Sequence, residues 1–283
     1  MGYDCDYREV DITAVDTPIA LTEQGADSPG NFDVPADASR ITEIVIAVAP
    51  DWTADAAYGF SSGIHLEGSG VQVGEGYFPG PVGACAGAAA SSQGMQISQV
   101  QRYLTNIPVK GGGKIKVTGC MMGEDMGSLH MLTQLVWDGP IAGRIKDCDY
   151  REENITAANT LVALQARHGS SEGDFKVADE RIVEVFFGAG LKAVAGPLRF
   201  APVLHLSGKG LARSGFYKFL GPSGGHQDDI LAGSGAGGPG WIIPLARYIV
   251  DIPGNVGNTI RAQAQMIEDD AGTAYAIAGL AYG

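Results

Sequence analysis

The sequence is short of the features that would make a membrane-spanning, nucleic-acid-binding or disulfide-built protein. No stretch approaches the ~20 consecutive apolar residues of a bilayer-crossing helix. The N-terminus lacks the basic start and apolar core of a secretory leader, so a chain beginning at Met1 is expected to be made and first folded in a cytoplasm. Lys and Arg number 19 against 32 Asp and Glu, a formal net charge of −13. With no basic run, no direct contact with nucleic acid is expected. The cysteines Cys5, Cys85, Cys120 and Cys148 show no CxxC spacing, so reduced thiols are expected in place of a disulfide framework. Helix signals are scarce as well. Residues 156–168 have a helix-favouring composition, but their counterpart 13–25 carries Pro18 in its middle. Extended structure is expected for both.

Glycine, by contrast, is plentiful: 42 of 283 residues, about twice the usual share. The glycines punctuate short β-branched or alternating stretches at 10–20, 41–49, 63–73, 95–107, 114–121 and 129–137. That density of short strands and turns predicts an all-β sandwich or barrel.

One string occurs twice. Asp4-Cys5-Asp6-Tyr7-Arg8-Glu9 returns as Asp147-Cys148-Asp149-Tyr150-Arg151-Glu152. The similarity continues collinearly, with Ile12-Thr13 on Ile155-Thr156, Arg40-Ile41 on Arg181-Ile182 and His65 on His205. Tyr77 falls on Tyr217 and, after a one-residue shift, Pro81 on Pro222; later Arg102-Tyr103 meets Arg247-Tyr248. The expected organisation is a first β-sandwich at 1–139, a short rigid linker at 140–143 and a second sandwich at 144–283.

Candidate chemistry is thin. Gly59-Phe60-Ser61-Ser62-Gly63 matches G-x-S-x-G, but a strand follows where a nucleophile elbow needs a helix. Gly235–Gly240 fits G-x-G-x-x-G by count only, with a proline inside it. The histidines His65, His130, His168, His205 and His226 have no zinc-site spacing, and the equivalent pair His65 and His205 reads as structural. Glu124-Asp125 and Asp269-Asp270, in equivalent turns, offer carboxylates for Ca²⁺ but fall short of an EF-hand loop; solvated turn acids are expected, and Ca²⁺ binding stays open. No catalytic, cofactor or metal residue is assigned.

In layout, the two DCDYRE-headed β copies resemble the tandem (double) jelly-roll major capsid proteins of icosahedral viruses. That resemblance implies a virion structural protein, assembled in the host cytoplasm, without catalytic residues or cofactors. It implies trimers acting as pseudo-hexamers, with this chain itself and other capsid or shell proteins as partners; an underlying membrane is compatible. The alternatives are a tandem carbohydrate-binding β-sandwich using Tyr77 and Tyr217 as stacking platforms, a cellular sheet- or tube-forming surface protein, and an enzyme with a cleft between copies around Ser61 or Glu124. The repeated Arg8 and Arg151 are expected to serve folding or assembly.

Overall fold

The computed structural model describes residues 4–52, 58–72, 74–85, 100–123, 127–138, 143–192, 198–212, 216–222, 224–226, 241–267 and 273–283. Among these residues there is no helix. The first half forms β1 (Asp4–Ile12), β2 (Ile19–Ala20), β3 (Phe32–Asp33), β4 (Arg40–Trp52), β5 (Tyr58–Glu67), β6 (Gly76–Pro79), β7 (Val82–Cys85), β8 (Gln101–Pro108), β9 (Lys114–Gly123) and β10 (Gly127–Trp137). The second forms β11 (Asp147–Ile155), β12 (Val162–Ala163), β13 (Ala166–Arg167), β14 (Ser170–Ser171), β15 (Phe175–Lys176), β16 (Arg181–Lys192), β17 (Leu198–Ser207), β18 (Tyr217–Leu220), β19 (Gly224–His226), β20 (Trp241–Ile243), β21 (Ala246–Pro253), β22 (Thr259–Ile267) and β23 (Thr273–Tyr282). The stretch 156–168 is extended, as expected from its counterpart's Pro18, and holds β12 and β13.

In the first half one sheet runs β1-β10-β4-β8 and the other β2-β9-β5-β7, with β6 also on β5. In the second half the orders are β11-β23-β16-β21 and β12-β22-β17-β18. Each half is therefore a two-sheet sandwich in which the last strand pairs with the first. That wrapping is the strand order of a jelly roll. The halves also interlock, since β20 of the second pairs with β7 of the first. Gly143, past the undescribed residues 139–142, donates its N–H to the Thr105 carbonyl.

The repeated string lies inside β1 and β11, which pair antiparallel with β10 and β23 in matching register, Asp4 opposite Trp137 and Asp147 opposite Tyr282. Both β4 and β16 shift register at the same point, between Ile41 and Glu43 and between Ile182 and Glu184. A paired β-hairpin glycine adopts the left-handed conformation in each half, Gly68 at φ 124° and Gly208 at φ 120°, where a side chain would be strained.

Alternation in β1 and β11 turns Arg8 and Arg151 inward. Arg8 donates from Nε to the Gly30 carbonyl (2.8 Å) and from Nη1 to Asp6 (2.8 Å) and the Tyr7 carbonyl (2.6 Å), with its guanidinium over the Phe32 ring. Arg151 repeats this with Gly173 (2.7 Å), Asp149 (2.8 Å), the Tyr150 carbonyl (2.6 Å) and the ring of Phe175. Each arginine thus pins the loop before the next strand beneath its own sheet. Arg151→Met should lower unfolding free energy by about 1–3 kcal/mol, because the Gly173 and Tyr150 carbonyls lose their charged donor while Asp149 keeps Arg167. Urea unfolding monitored by tryptophan fluorescence would check it, and a loss under ~1 kcal/mol would contradict the clamp.

Candidate functional site

Among the described residues, a concentration of buried polar side chains lies between the halves. Strands β11 and β16 pack across β5, β6 and β7, so the outer face of a second-half sheet lies on the outer face of a first-half sheet. Cys148, Tyr150, Phe186, Leu245, Ile277 and Ala281 accordingly belong to the same apolar cluster as the first-half core. Glycines permit the approach. A Cβ at Gly63 would lie 2.6 Å from the Tyr150 ring, and one at Gly190 would lie 2.3 Å from the Phe60 carbonyl oxygen and 2.4 Å from that of Gly83.

Polar side chains line this seam. Ser61, in the middle of β5, is fully buried and donates to Glu152 Oε2 at 3.0 Å. It is neither on an exposed turn nor followed by a helix, so the G-x-S-x-G match forms no nucleophile elbow. His168 bonds the Thr118 hydroxyl through Nε2 (2.7 Å) and faces the Tyr150 hydroxyl through Nδ1 (3.3 Å). His65 stacks on Tyr77 with centroids 4.1 Å apart and 1° between planes, and Arg167 covers the Tyr77 ring at 3.8 Å while pairing with Asp149 at 3.0 Å. Tyr77 therefore offers no open face for stacking a sugar.

Burial governs ionisation here. It pushes the Glu152 carboxyl up to about 8, only partly offset by the Ser61 hydrogen bond. It pushes His168 down to about 4, with His65 adding to the effect, so the imidazole is neutral at pH 7. Because the folded-state Glu152 value is raised above 4.5, its contribution to stability is fully present below pH ~4.5. It is lost progressively as pH rises toward 8, when the unfolded chain alone releases the proton. Glu152→Gln keeps a neutral group at every pH. Its melting temperature should match wild type near pH 4.5 and exceed it increasingly toward pH 8, where the difference in unfolding free energy reaches about 5 kcal/mol at most. Parallel wild-type and variant melts across that window would test the assignment.

The register revises one equivalence. Tyr77 lies opposite His65, whereas Tyr217 lies opposite Leu206 and Lys218 opposite His205. The structural partner of Tyr77 is thus Lys218, and the one-residue shift falls before this hairpin strand instead of after it. Tyr77 and Tyr217 are not a matched pair of platforms. His65 and His205 do occupy equivalent strand positions, but His65 is buried in the seam and His205 is half-exposed. His130 lies elsewhere, on the outer face of the first sheet, between Asp11 (2.6 Å) and Glu9 (3.2 Å), which together raise its pKa against the effect of burial. Cys5, Cys120 and Cys148 are free thiols. Glu124, Asp125, Asp269, Asp270, the 235–240 loop and the side chains of Cys85 and His226 lie outside the described residues.

The seam was not apparent from spacing because its members come from separated segments. The usable signal was the alternation of His65 with Glu67, two apart on one strand face. No protein-family model matches the chain, and no curated protein matches its sequence.

Proposed function

We propose that the chain is a duplicated, two-jelly-roll building block that self-assembles into a shell or lattice, in the manner of a viral major capsid protein forming pseudo-hexameric trimers. The supporting observation is Leu220, which is 63% exposed although its counterpart Pro79 is buried and faces Gly279 within the seam. The equivalence is close: Tyr103 donates its hydroxyl to the Pro79 carbonyl, and Tyr248 donates its own to the Leu220 carbonyl.

The seam is head-to-tail, joining unlike faces of the two halves. Among the described residues, one half-seam therefore stays open at each end of the chain: the outer face of β17, β18 and β22, and the outer face of β1, β10 and β4. Tyr7 and Glu9 on the latter are only partly buried, while Tyr150 and Glu152 at the same positions are covered. A heterologous contact of this type closes into a ring when the rotation allows, and three two-domain chains would give six positions. The charges suit that contact. Where the internal seam gives Asp149 a second cation, Arg167, which also covers Tyr77, Asp6 has Arg8 and the neutral Gln24 and the other open face carries Lys218, so the second cation has changed sides. No catalytic role is part of this reading.

Sedimentation velocity with negative-stain microscopy of the purified chain tests it. Trimeric particles of sixfold appearance are expected; a monomer at high protein concentration would refute the reading.

A further inference from the structure

A second chemistry sits at the mouth of the seam. His65 and Glu67, two residues apart on β5, point to the same outer face, and the hairpin that returns into β6 brings Glu75 over them. One donor atom from each, the imidazole nitrogen and two carboxylate oxygens, lies within 4.8 Å of the others. His65 is 9% exposed, and its Nε2 is buried without a hydrogen-bond partner. The nearest polar atom to it in this group is Glu75 Oε2 at 3.5 Å, too long for a hydrogen bond. A buried ring nitrogen facing two carboxylates without a bond to either is a donor set lacking its acceptor.

The surroundings hold those donors in place. Tyr77 fixes the imidazole plane by stacking and donates its hydroxyl to Glu75 Oε2 at 3.0 Å. Lys116 engages only Oε1 of Glu67, at 2.8 Å. The neighbouring Arg167 is paired with Asp149 and Glu172, so its charge is largely balanced. Glu75 is the most exposed of the three, with 58% of its side chain accessible, which leaves a solvent approach.

We propose that His65 Nε2, Glu67 and Glu75 bind one divalent cation of the zinc class. One imidazole nitrogen and two carboxylates suit such an ion, with water completing a four-coordinate shell, and Tyr77 and Lys116 orient the carboxylates from outside. The second half contains a natural control. His205 keeps the imidazole, but Ser207 stands in place of Glu67, and the register that sets Leu206 opposite Tyr217 puts Phe216 in place of Glu75. The site belongs to the first half alone, and bound metal would tie the β5–β6 hairpin at the edge of the seam. This proposal is independent of the assembly reading.

The test uses the full chain, stripped with EDTA and titrated with ZnCl2 by calorimetry at pH 7, with Co²⁺ absorption as a report on coordination. Wild type should bind one Zn²⁺ per chain and gain melting temperature, and the Co²⁺ bands should show a nitrogen- and oxygen-ligated ion. His65→Gln and Glu75→Gln should each weaken binding roughly tenfold or more, while His205→Gln and His130→Gln should leave it unchanged. Should His65→Gln fail to fold, the exposed Glu75→Gln and Glu67→Gln carry the test. Absence of binding by wild type, binding undiminished in Glu75→Gln, or loss only in the His205 or His130 variant would each overturn the proposal.

Discussion

Gly190→Val should be among the most damaging single substitutions in this protein, lowering unfolding free energy by about 3 kcal/mol or more. The Cβ alone would meet three backbone atoms: the Phe60 and Gly83 oxygens at 2.3 and 2.4 Å and the Phe60 nitrogen at 2.8 Å. Backbone in paired strands cannot rotate aside as a side chain can, so relief requires separating β16 from β5 and β7. Overpacking of a tight core typically costs 1–3 kcal/mol, and here separation would also expose Tyr150, Phe186 and Ile277. The companion variant is Ala49→Val. Ala49 occupies the same place on β4 that Gly190 occupies on β16, but it is exposed, so its melting temperature should stay within about a degree or two of wild type. Calorimetric melts of both would decide the matter; equal stability of the two variants would show that the seam does not require glycine. Under the assembly reading, Ala49→Val should still impair oligomer formation while leaving the fold intact.

The second large effect concerns that assembly. Leu220→Asp with Lys218→Glu should convert the proposed oligomer to monomer without lowering the melting temperature of the chain. Both side chains are exposed, so the folded monomer loses little by the change. In an intermolecular contact with the geometry of the internal seam, however, Leu220 takes the place of buried Pro79 and Lys218 takes that of Tyr77. A carboxylate at position 220 would be desolvated without a partner, costing several kcal/mol at each contact. A glutamate at position 218 would repel Asp6 in place of attracting it. Sedimentation velocity of the double variant beside wild type reads this directly. An unaltered oligomer would show that β18 is not an assembly face, and a parallel collapse in melting temperature would show that its role lies within the chain.

Much of the fold was legible in the residues. The spacing of β-branched stretches and glycine turns indicated an all-β chain, and Pro18 correctly argued against a helix at 156–168. The six-residue repeat pointed to matching strands, and the inward arginine of each copy meets the same kinds of partners. These features are local: strand alternation and the next loop are specified within about 25 residues of each string.

What the local pattern could not decide was the environment of the outward residues. Tyr7 and Tyr150, or Glu9 and Glu152, sit in identical hexapeptides, yet only the second copy's pair is covered, because only its sheet is laid against the other half. The proton on Glu152, the burial of Ser61 and the meeting of His168 with Thr118 all follow from that packing, between residues at least 50 positions apart. Register was also a tertiary matter. A one-residue slip exchanges the faces of a strand, which is why Tyr77 corresponds to Lys218 in space although it aligns with Tyr217 in sequence. The sequence by itself determined the in-and-out alternation of the long strands such as β1 and β11. Tertiary structure alone decided which outward faces meet protein and which remain open, because that depends on how two sheets from separate halves approach across their glycines.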